Sequence, residues 1–340
     1  MHRLMAGVTI LEHELSELRL LVERQVGILL DCPNSVLAAH VADYLEKHEL
    51  ESPAALLEHL TAVDQDPALF AEFLEGVLNA NTGFFRHPGA MTALARHVVP
   101  QLLTRKTDDS PTTLRIWSAG CGTGEEAYSI AMALCSALPS GNGNGSANGN
   151  GNGAKGSNGR NGGIVDTTAL SASGTKEWSI HIVGTDLLPG ALKVAERGLY
   201  PQSALAGLPP ATIRSCFSKI GASIPNGSTD AVAAAASNAS YLLVKPRIRS
   251  MVTFNIMNLI RPVYIGRFDC IFCMDVLPHL SRPQRSALIE RLHLYLEPGG
   301  YLFLSQTEKL CASNLNFRPE TFDGYTVHRK PLAASAAYGR

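Results

Sequence analysis

The chain has 340 residues, of which 45% are hydrophobic and 17% charged, and its formal net charge is -1. This size and composition predict a globular protein with one large domain and one small one. Because the net charge is close to zero, the surface as a whole carries no excess of positive charge, so we expect neither nucleic acid nor an anionic membrane as a partner.

The seven cysteines lie mostly in apolar runs, where a free thiol behaves as a small hydrophobe, and this favours a reducing compartment. Cys270 and Cys273 have the spacing of a redox or metal pair, but "DCIFCMDV" is typical of a buried strand whose side chains alternate faces. We therefore predict no metal site. The absence of a secretion signal and of a long apolar run predicts a cytoplasmic protein without membrane insertion.

Residues 1–78 contain four segments with apolar residues at helical spacing: "LSELRLLVERQVGILL", "NSVLAAHVADYLEKHEL", "SPAALLEHL" and "PALFAEFLEGVLNA". Ser52 and Asp66 precede prolines, as helix caps often do. We predict a small helical domain here, followed by a linker segment over residues 79–94.

Residues 95–340 change pattern, because short runs rich in Val, Ile and Phe alternate with helical segments. The predicted strands are "LRIWSAG", "SIHIVGTD", "VTFNIMNL", "FDCIFCMDV" and "GYLFLSQ", with "YTVHRKP" as a possible edge strand. Strands that alternate with helices predict an α/β, Rossmann-like domain with a mostly parallel sheet and helices on both faces.

Two stretches interrupt this pattern. Residues 140–175 are almost entirely Gly, Asn and Ser, which predicts a disordered insertion, since such a segment buries too little apolar surface to offset its ordering entropy. Residues 221–240 are rich in Ala, Ser and Asn, and we predict a second loop there, although the alanine run also allows a turn of helix.

The turn "AGCGTGEE" follows the first predicted strand, where ligands approach an open parallel sheet most closely. Gly120, Gly122 and Gly124 let the backbone approach a ligand without obstruction by a Cβ atom. Glu125 and Glu126 would repel a phosphate, which argues against a dinucleotide dehydrogenase and favours a cationic ligand such as S-adenosylmethionine. An ordinary tight turn is the alternative.

Asp186 ends the next strand of the sheet. Without the predicted insertion it follows the glycine turn at the interval of a carboxylate that accepts hydrogen bonds from both ribose hydroxyls. Asp186 would also serve as a helix cap before "LLPGALKVAERG", and the two roles are compatible.

Six motifs in register resemble the CheR family of chemotaxis-receptor glutamate methyltransferases, over nearly the whole chain apart from the two insertions. They are "TGFFRHP", "GCGTGEEAYSIAM", "GTDLLPGALKVAERGLYP", "VTFNIMNLI", "FDCIFCMDVLPHL" and "LEPGGYLFLSQTEKL". The resemblance implies an S-adenosylmethionine-dependent transfer of methyl to a glutamate carboxylate of a chemoreceptor or another signalling protein, and we expect a monomer.

The resemblance also implies which residues form the site. The expected contacts of S-adenosylmethionine are Thr82, Arg86, Gly120, Gly122, Glu125, Asp186, Asn258, Leu259, Met274 and Asp275, and the expected catalytic residues are Arg86 and His279. Glu125 would hold the methionine ammonium, Asn258 would read the adenine edge, and Arg86 would orient the acceptor carboxylate. Taken alone, Asn258 is also compatible with a turn at the end of a strand.

The chain departs from the family pattern in several places. In the segment where the family has F-C-R-N-V-x-I-Y-F, this chain has Met274 in place of the arginine, Asp275 in place of the asparagine and His279 in place of the tyrosine. A further asparagine of the family pattern is replaced by Ala80. These changes make the site more negative, which suits a cationic donor and disfavours an anionic acceptor. His279 would replace the tyrosine as a donor, or would only begin the next helix.

The second predicted helix also departs from the basic helix of the family, since Lys47 is its one firm positive charge. An alternative is therefore a catalytically impaired relative that binds S-adenosylmethionine, S-adenosylhomocysteine or a protein partner in signalling.

Overall fold

The computed structural model describes residues 10–61, 67–78, 82–106, 113–137, 178–219, 240–261, 263, 265–310 and 316–332. The predicted insertions at 140–175 and 221–240 lie outside these residues, except for Ser240, as do Asp66 and Ala80.

The N-terminal region is helical, as predicted. Its helices are α1 (Glu12–Val26), α2 (Asn34–Lys47), α3 (Pro53–Thr61) and α4 (Pro67–Val77). Their apolar stripes meet in one core that includes Leu18, Leu37 and Phe73. Ser52 caps α3, since its Oγ accepts a hydrogen bond from the backbone N of Ala55 at 3.2 Å.

The described part of the remaining chain forms two sheets. In chain order the strands are β1 (Thr113–Ala119), β2 (Ser179–Asp186), β3 (Leu199–Pro201), β4 (Phe217–Lys219), β5 (Tyr241–Val244), β6 (Val252–Ile256), β7 (Phe268–Phe272), β8 (Leu296–Phe303), β9 (Arg318–Phe322) and β10 (Tyr325–Arg329). The large sheet has the order β6-β2-β1-β7-β8-β10-β9. Its first five strands are parallel, which confirms the predicted α/β sheet.

The end of the sheet differs from the prediction. Strand β10 pairs antiparallel with β8 on one side and with β9 on the other, so "YTVHRKP" contributes an inner strand and β9 is the edge. The sequence of β9 did not predict a strand, because a proline, Pro319, and mostly exposed side chains are not typical of a buried strand.

Helices cover both faces of the large sheet. The helices of this region are α5 (Pro88–Ala93), α6 (Val99–Arg105), α7 (Glu125–Ala137), α8 (Pro189–Arg197), α9 (Pro210–Cys216), α10 (Pro246–Arg249) and α11 (Arg282–Tyr295). A π-helical segment, Leu94–Val98, joins α5 to α6, so residues 88–94 of the predicted linker belong to a helix. Ile116 packs in the core that includes α7, whereas Trp117 packs in the core that includes α11. Cys270 and Cys273 likewise lie in these opposite cores, as alternation predicts.

The small sheet, of order β3-β5-β4, is antiparallel and was not predicted. Its strands have only three or four residues, too few for a recognisable pattern. Phe84 packs edge-on against Tyr200 and Phe217, with ring centroids at 4.9 and 5.3 Å. The "TGFFR" segment is therefore anchored on this sheet.

The helical region contacts the α/β region directly. The backbone N of Leu29 donates to the carbonyl of His279 at 2.8 Å, beside an isolated bridge between Ile28 and Leu280. Leu188 of the α/β region is buried in the core of the helical region. These contacts bring the segment after α1 close to the strand ends.

Candidate active site

A cavity of about 630 Å³ lies between the helical region and the carboxyl ends of β1, β2, β6 and β7. This is the edge of a parallel sheet at which ligands bind, and the volume is that of a small-molecule site. Of the expected site residues, those that line the cavity are Thr82, Arg86, Gly120, Gly122, Asp186, Asn258, Leu259, Met274, Asp275 and His279. Glu125 does not line it, and Glu126 does.

The glycine turn after β1 packs closely against the segment that follows β7. Gly120 and Gly122 have φ values of 81° and 54°, a region that side chains disfavour. A Cβ atom at Gly120 would lie 2.7 Å from Cγ2 of Val276. The backbone N atoms of Gly120 and Cys121 donate to the carbonyl of Thr185 at 2.8 and 2.9 Å, which ties the turn to β2. The turn is a rigid cradle at the cavity wall.

Asp186 ends β2 and is fixed by two backbone groups. Its Oδ2 accepts a hydrogen bond from the N of Gly122 at 2.8 Å, and its Oδ1 accepts one from the N of Leu188 at 3.0 Å. Burial raises the pKa of this carboxyl, while the backbone hydrogen bonds oppose the rise. A carboxylate has about four acceptor positions, so Asp186 retains capacity for ligand hydroxyls.

Glu125 and Glu126 begin α7 but have different environments. The Oε2 of Glu125 accepts a hydrogen bond from Oγ1 of Thr123 at 2.7 Å, and burial raises its pKa. The Oε1 of Glu126 accepts one from Oγ of Ser118 at 2.7 Å. Burial, with the charges of Asp275 and Glu308, raises the pKa of Glu126 to about 7. Glu126 is the glutamate of this pair that lines the cavity.

The segment after β6 forms another wall. The N of Met257 donates to the carbonyl of Asp186 at 2.9 Å, which continues the register of β6 along β2. The Oδ1 of Asn258 accepts a hydrogen bond from the N of Ile260 at 3.0 Å and closes a local turn. Asn258 is therefore a turn residue as well as a cavity residue, and its amide nitrogen is the group available to a ligand acceptor.

The "FFR" segment is positioned by α7. The N of Phe85, at a φ of 52°, donates to Oγ of Ser129 at 2.9 Å, and Ser129 Oγ in turn donates to the carbonyl of Glu125 at 2.6 Å. The adjacent Arg86 reaches into the cavity, where its Nη2 lies 3.3 Å from Oδ2 of Asp275. A chain of local contacts thus sets the place of the one arginine that lines the described cavity.

The segment after β7 carries the departures from the family pattern. Met274 is buried, and Asp275 has a φ of 58°, unusual outside glycine. Burial would raise the pKa of Asp275, but hydrogen bonds from His87 and Ser305 and the charges of His87 and Arg86 hold it below its ordinary value. The carboxylate of Asp275, which the family pattern lacks, is therefore ionised and is paired with Arg86 and His87. His279 lies in a short 3₁₀ turn, Leu277–His279, with an exposed side chain.

Three residues of this neighbourhood were not among the expected site residues. His87 lines the cavity and its Nε2 lies 2.8 Å from Oδ2 of Asp275. Glu126 was weighed only as a charge that repels phosphate. Glu308 accepts hydrogen bonds from the N of Asp275 at 3.1 Å and of Leu277 at 2.9 Å. The "TEKL" segment was part of the quoted motif, but nothing in its spacing identified this bracing role.

These residues fit S-adenosylmethionine. The glycine cradle leaves no room for a Cβ, Asp186 retains acceptor capacity, and apolar Met257, Leu259 and Val276 provide a surface for a base. The carboxyls of Asp31, Glu126, Asp186 and Asp275 line the cavity and suit a cationic ligand better than a phosphate.

Comparisons with known proteins agree with this geometry. A family model described as "CheR methyltransferase, SAM binding domain" matches residues 80–146 and 166–325. The chain is 26% identical over 295 residues to chemotaxis protein methyltransferase 1 of Pseudomonas aeruginosa, covering 86% of this chain and 88% of that protein. It is also 26% identical over 300 residues to chemotaxis protein methyltransferase Cher2 of Pseudomonas putida, covering 87% and 90%.

Among solved structures, the glycopeptide N-methyltransferase MtfA complexed with S-adenosylmethionine matches at 15% identity and a TM-score of 0.28, over 75% of this chain and 72% of that one. None of the helices in the described part of the chain combines the length and apolar character that a membrane crossing requires.

Proposed function

Because the chain belongs to the CheR methyltransferase family and its cofactor is S-adenosylmethionine, we propose that it transfers a methyl group to a glutamate side chain of a chemoreceptor-like protein. One observation carries this proposal. The cavity combines carboxyls suited to a cationic donor with the guanidinium of Arg86, which suits an anionic acceptor.

The donor would be held by residues at the strand ends. Asp186 would accept hydrogen bonds from the ribose hydroxyls, and Gly120 would allow close contact with the backbone. Asn258 would read the adenine edge while Leu259 packs on its face. Glu126, rather than Glu125, would hold the methionine ammonium, since Glu126 lines the cavity.

Catalysis would consist mainly of positioning. When bound, S-adenosylmethionine supplies a methyl group on a cationic sulfur. A glutamate side chain is already ionised at neutral pH, so the chain need not provide a general base. Arg86 would orient this carboxylate, and residues 28–32 of the helical region would close one side of the cavity and limit water. His279 would contribute only by its position at the cavity rim.

The proposal is tested by methyl transfer from labelled S-adenosylmethionine to a helical-bundle chemoreceptor fragment. We expect label on fragments with glutamate at the acceptor positions and none on fragments with glutamine there. Arg86→Ala should lower kcat/KM by ~10- to 100-fold, the loss of one charge-assisted hydrogen bond. Glu290→Ala on the exposed face of α11 is the control and should leave kcat/KM unchanged.

The second candidate, an impaired module, is favoured by the departures at Met274, Asp275 and His279. It predicts saturable binding of S-adenosylhomocysteine without label on any glutamate fragment. That result would replace the enzyme proposal with a binding role in signalling.

A further inference from the structure

Arg86 and His87 converge on one oxygen of an internal carboxylate. The Nη2 of Arg86 lies 3.3 Å, and the Nε2 of His87 lies 2.8 Å, from Oδ2 of Asp275. All three side chains line the cavity. Two neighbouring nitrogen donors that face one carboxylate oxygen form the kind of group that would receive the carboxylate of an acceptor.

The backbone at Asp275 is braced more firmly than the arginine. Both carboxylate oxygens of Glu308 take part, since Oε2 accepts from the N of Asp275 at 3.1 Å and Oε1 accepts from the N of Leu277 at 2.9 Å. Oε2 also accepts from the N of Ser305 at 2.8 Å. These bonds hold the segment at the left-handed φ of Asp275.

The contact of Arg86 with Asp275 is the contact that an acceptor carboxylate can replace. The Arg86 side chain is 42% exposed, and its 3.3 Å contact with a single oxygen lacks the geometry of a bidentate pair. Such partly exposed pairs contribute little to stability. An arriving carboxylate can therefore compete for the guanidinium, provided that it overcomes the repulsion of Asp275 and of the nearby Glu126 and Glu308.

We propose that Asp275 is a specificity-determining residue that competes with the acceptor carboxylate for Arg86 and His87. This inference rests on the proposed function, because it takes the acceptor to be a carboxylate. Asp275 weakens the preference of the site for an anionic side chain over its neutral amide. The asparagine that the family pattern has at this position would occupy the same space without the negative charge.

Binding measurements test this without requiring turnover. Wild type and Asp275→Asn would be saturated with S-adenosylhomocysteine and titrated calorimetrically with two chemoreceptor fragments, one with glutamate and one with glutamine at the acceptor positions. We expect wild type to bind the two fragments within about twofold of each other. Asp275→Asn should prefer the glutamate fragment by ~10-fold, because the change removes the charged competitor for Arg86 and His87 and the like charge beside the acceptor.

Asparagine tolerates a left-handed φ, and Asp275→Gly offers a second variant in which that backbone conformation is unstrained. An unchanged ratio of the two affinities in both variants would overturn the inference. A lower preference for the glutamate fragment would also overturn it and make Asp275 the residue that positions Arg86. Loss of S-adenosylhomocysteine binding in both variants would overturn it as well, by making Asp275 part of the donor site.

The outcome is separable from that of the proposed function. A raised preference for glutamate in Asp275→Asn, with no methyl transfer by either protein, would support this inference and contradict the enzyme proposal. Methyl transfer by wild type, with an unchanged preference in the variants, would support the enzyme proposal and contradict this inference.

Discussion

The two sides of the cavity are built from different kinds of backbone. On the proposed donor side, Gly120, Asp186 and Asn258 stand at or just beyond the ends of regular parallel strands that pair with one another. On the proposed acceptor side, Arg86 and Asp275 belong to short irregular segments, and the left-handed residues Phe85 and Asp275 are not glycines.

This difference separates what is rigid from what is adjustable. The donor side is tied together by backbone hydrogen bonds with few alternatives. The acceptor side depends on partly exposed side-chain pairs, which a partner can rearrange. Substitutions on the donor side should therefore have large effects on S-adenosylhomocysteine affinity, and substitutions on the acceptor side should chiefly alter the choice of acceptor.

The largest effect is expected for Asp186→Ala. The change removes the carboxylate that we propose binds the ribose, and also the acceptor of the Gly122 and Leu188 backbone N–H groups. Two charge-assisted hydrogen bonds to the ribose are worth about 3 kcal/mol or more together, so affinity should fall by ~100-fold or more by calorimetry. Retention of micromolar affinity would show that the carboxyl end of β2 does not hold the donor. Glu290→Ala serves as the control.

A smaller effect is expected for Gly120→Ala, with Gly324→Ala as a matched control. Both glycines have a φ of 81°, but a Cβ at Gly120 meets Val276 at 2.7 Å whereas one at Gly324 meets nothing within 4 Å. Both variants should lose about 1 kcal/mol of unfolding free energy through backbone strain. Only Gly120→Ala should also weaken S-adenosylhomocysteine binding, by ~10-fold. Equal affinities of the two variants for S-adenosylhomocysteine would contradict a role of Gly120 in donor binding.

The smallest effect concerns pH and distinguishes the two glutamates of α7. The carboxyl of Glu126, with a pKa of about 7, is neutral below that pH and ionised above it. Affinity for the ammonium of S-adenosylhomocysteine should therefore rise several-fold from pH 6 to 7.5, with proton release on binding. Glu126→Gln should abolish this slope and Glu125→Gln should retain it. A slope lost in Glu125→Gln instead would reverse the assignment.

The sequence predicted the strand ends that form the proposed donor side, because their signals are local. The glycine turn, the aspartate that ends β2 and the strand alternation in "DCIFCMDV" all lie within short segments. The acceptor side depends on contacts between distant segments, such as His87 with Asp275, 188 residues apart. Spacing also failed to decide between Glu125 and Glu126, because neighbouring helical residues point about 100° apart and only packing shows which one lines the cavity. The small sheet was missed because its strands are too short to show a period.

The hydrogen bond from the N of Leu29 to the carbonyl of His279 joins the helical region to the α/β region, and it bears on where a domain boundary can be drawn. The family model begins at residue 80, yet Val26 and residues 28–32 and 77–78 line the cavity. A protein trimmed to the matched segment would keep the glycine turn and Asp186 but would leave its pocket open to solvent along that side. The segment that the family model matches is therefore smaller than the part of the chain that forms the cavity, because the N-terminal helical region contributes one of its walls.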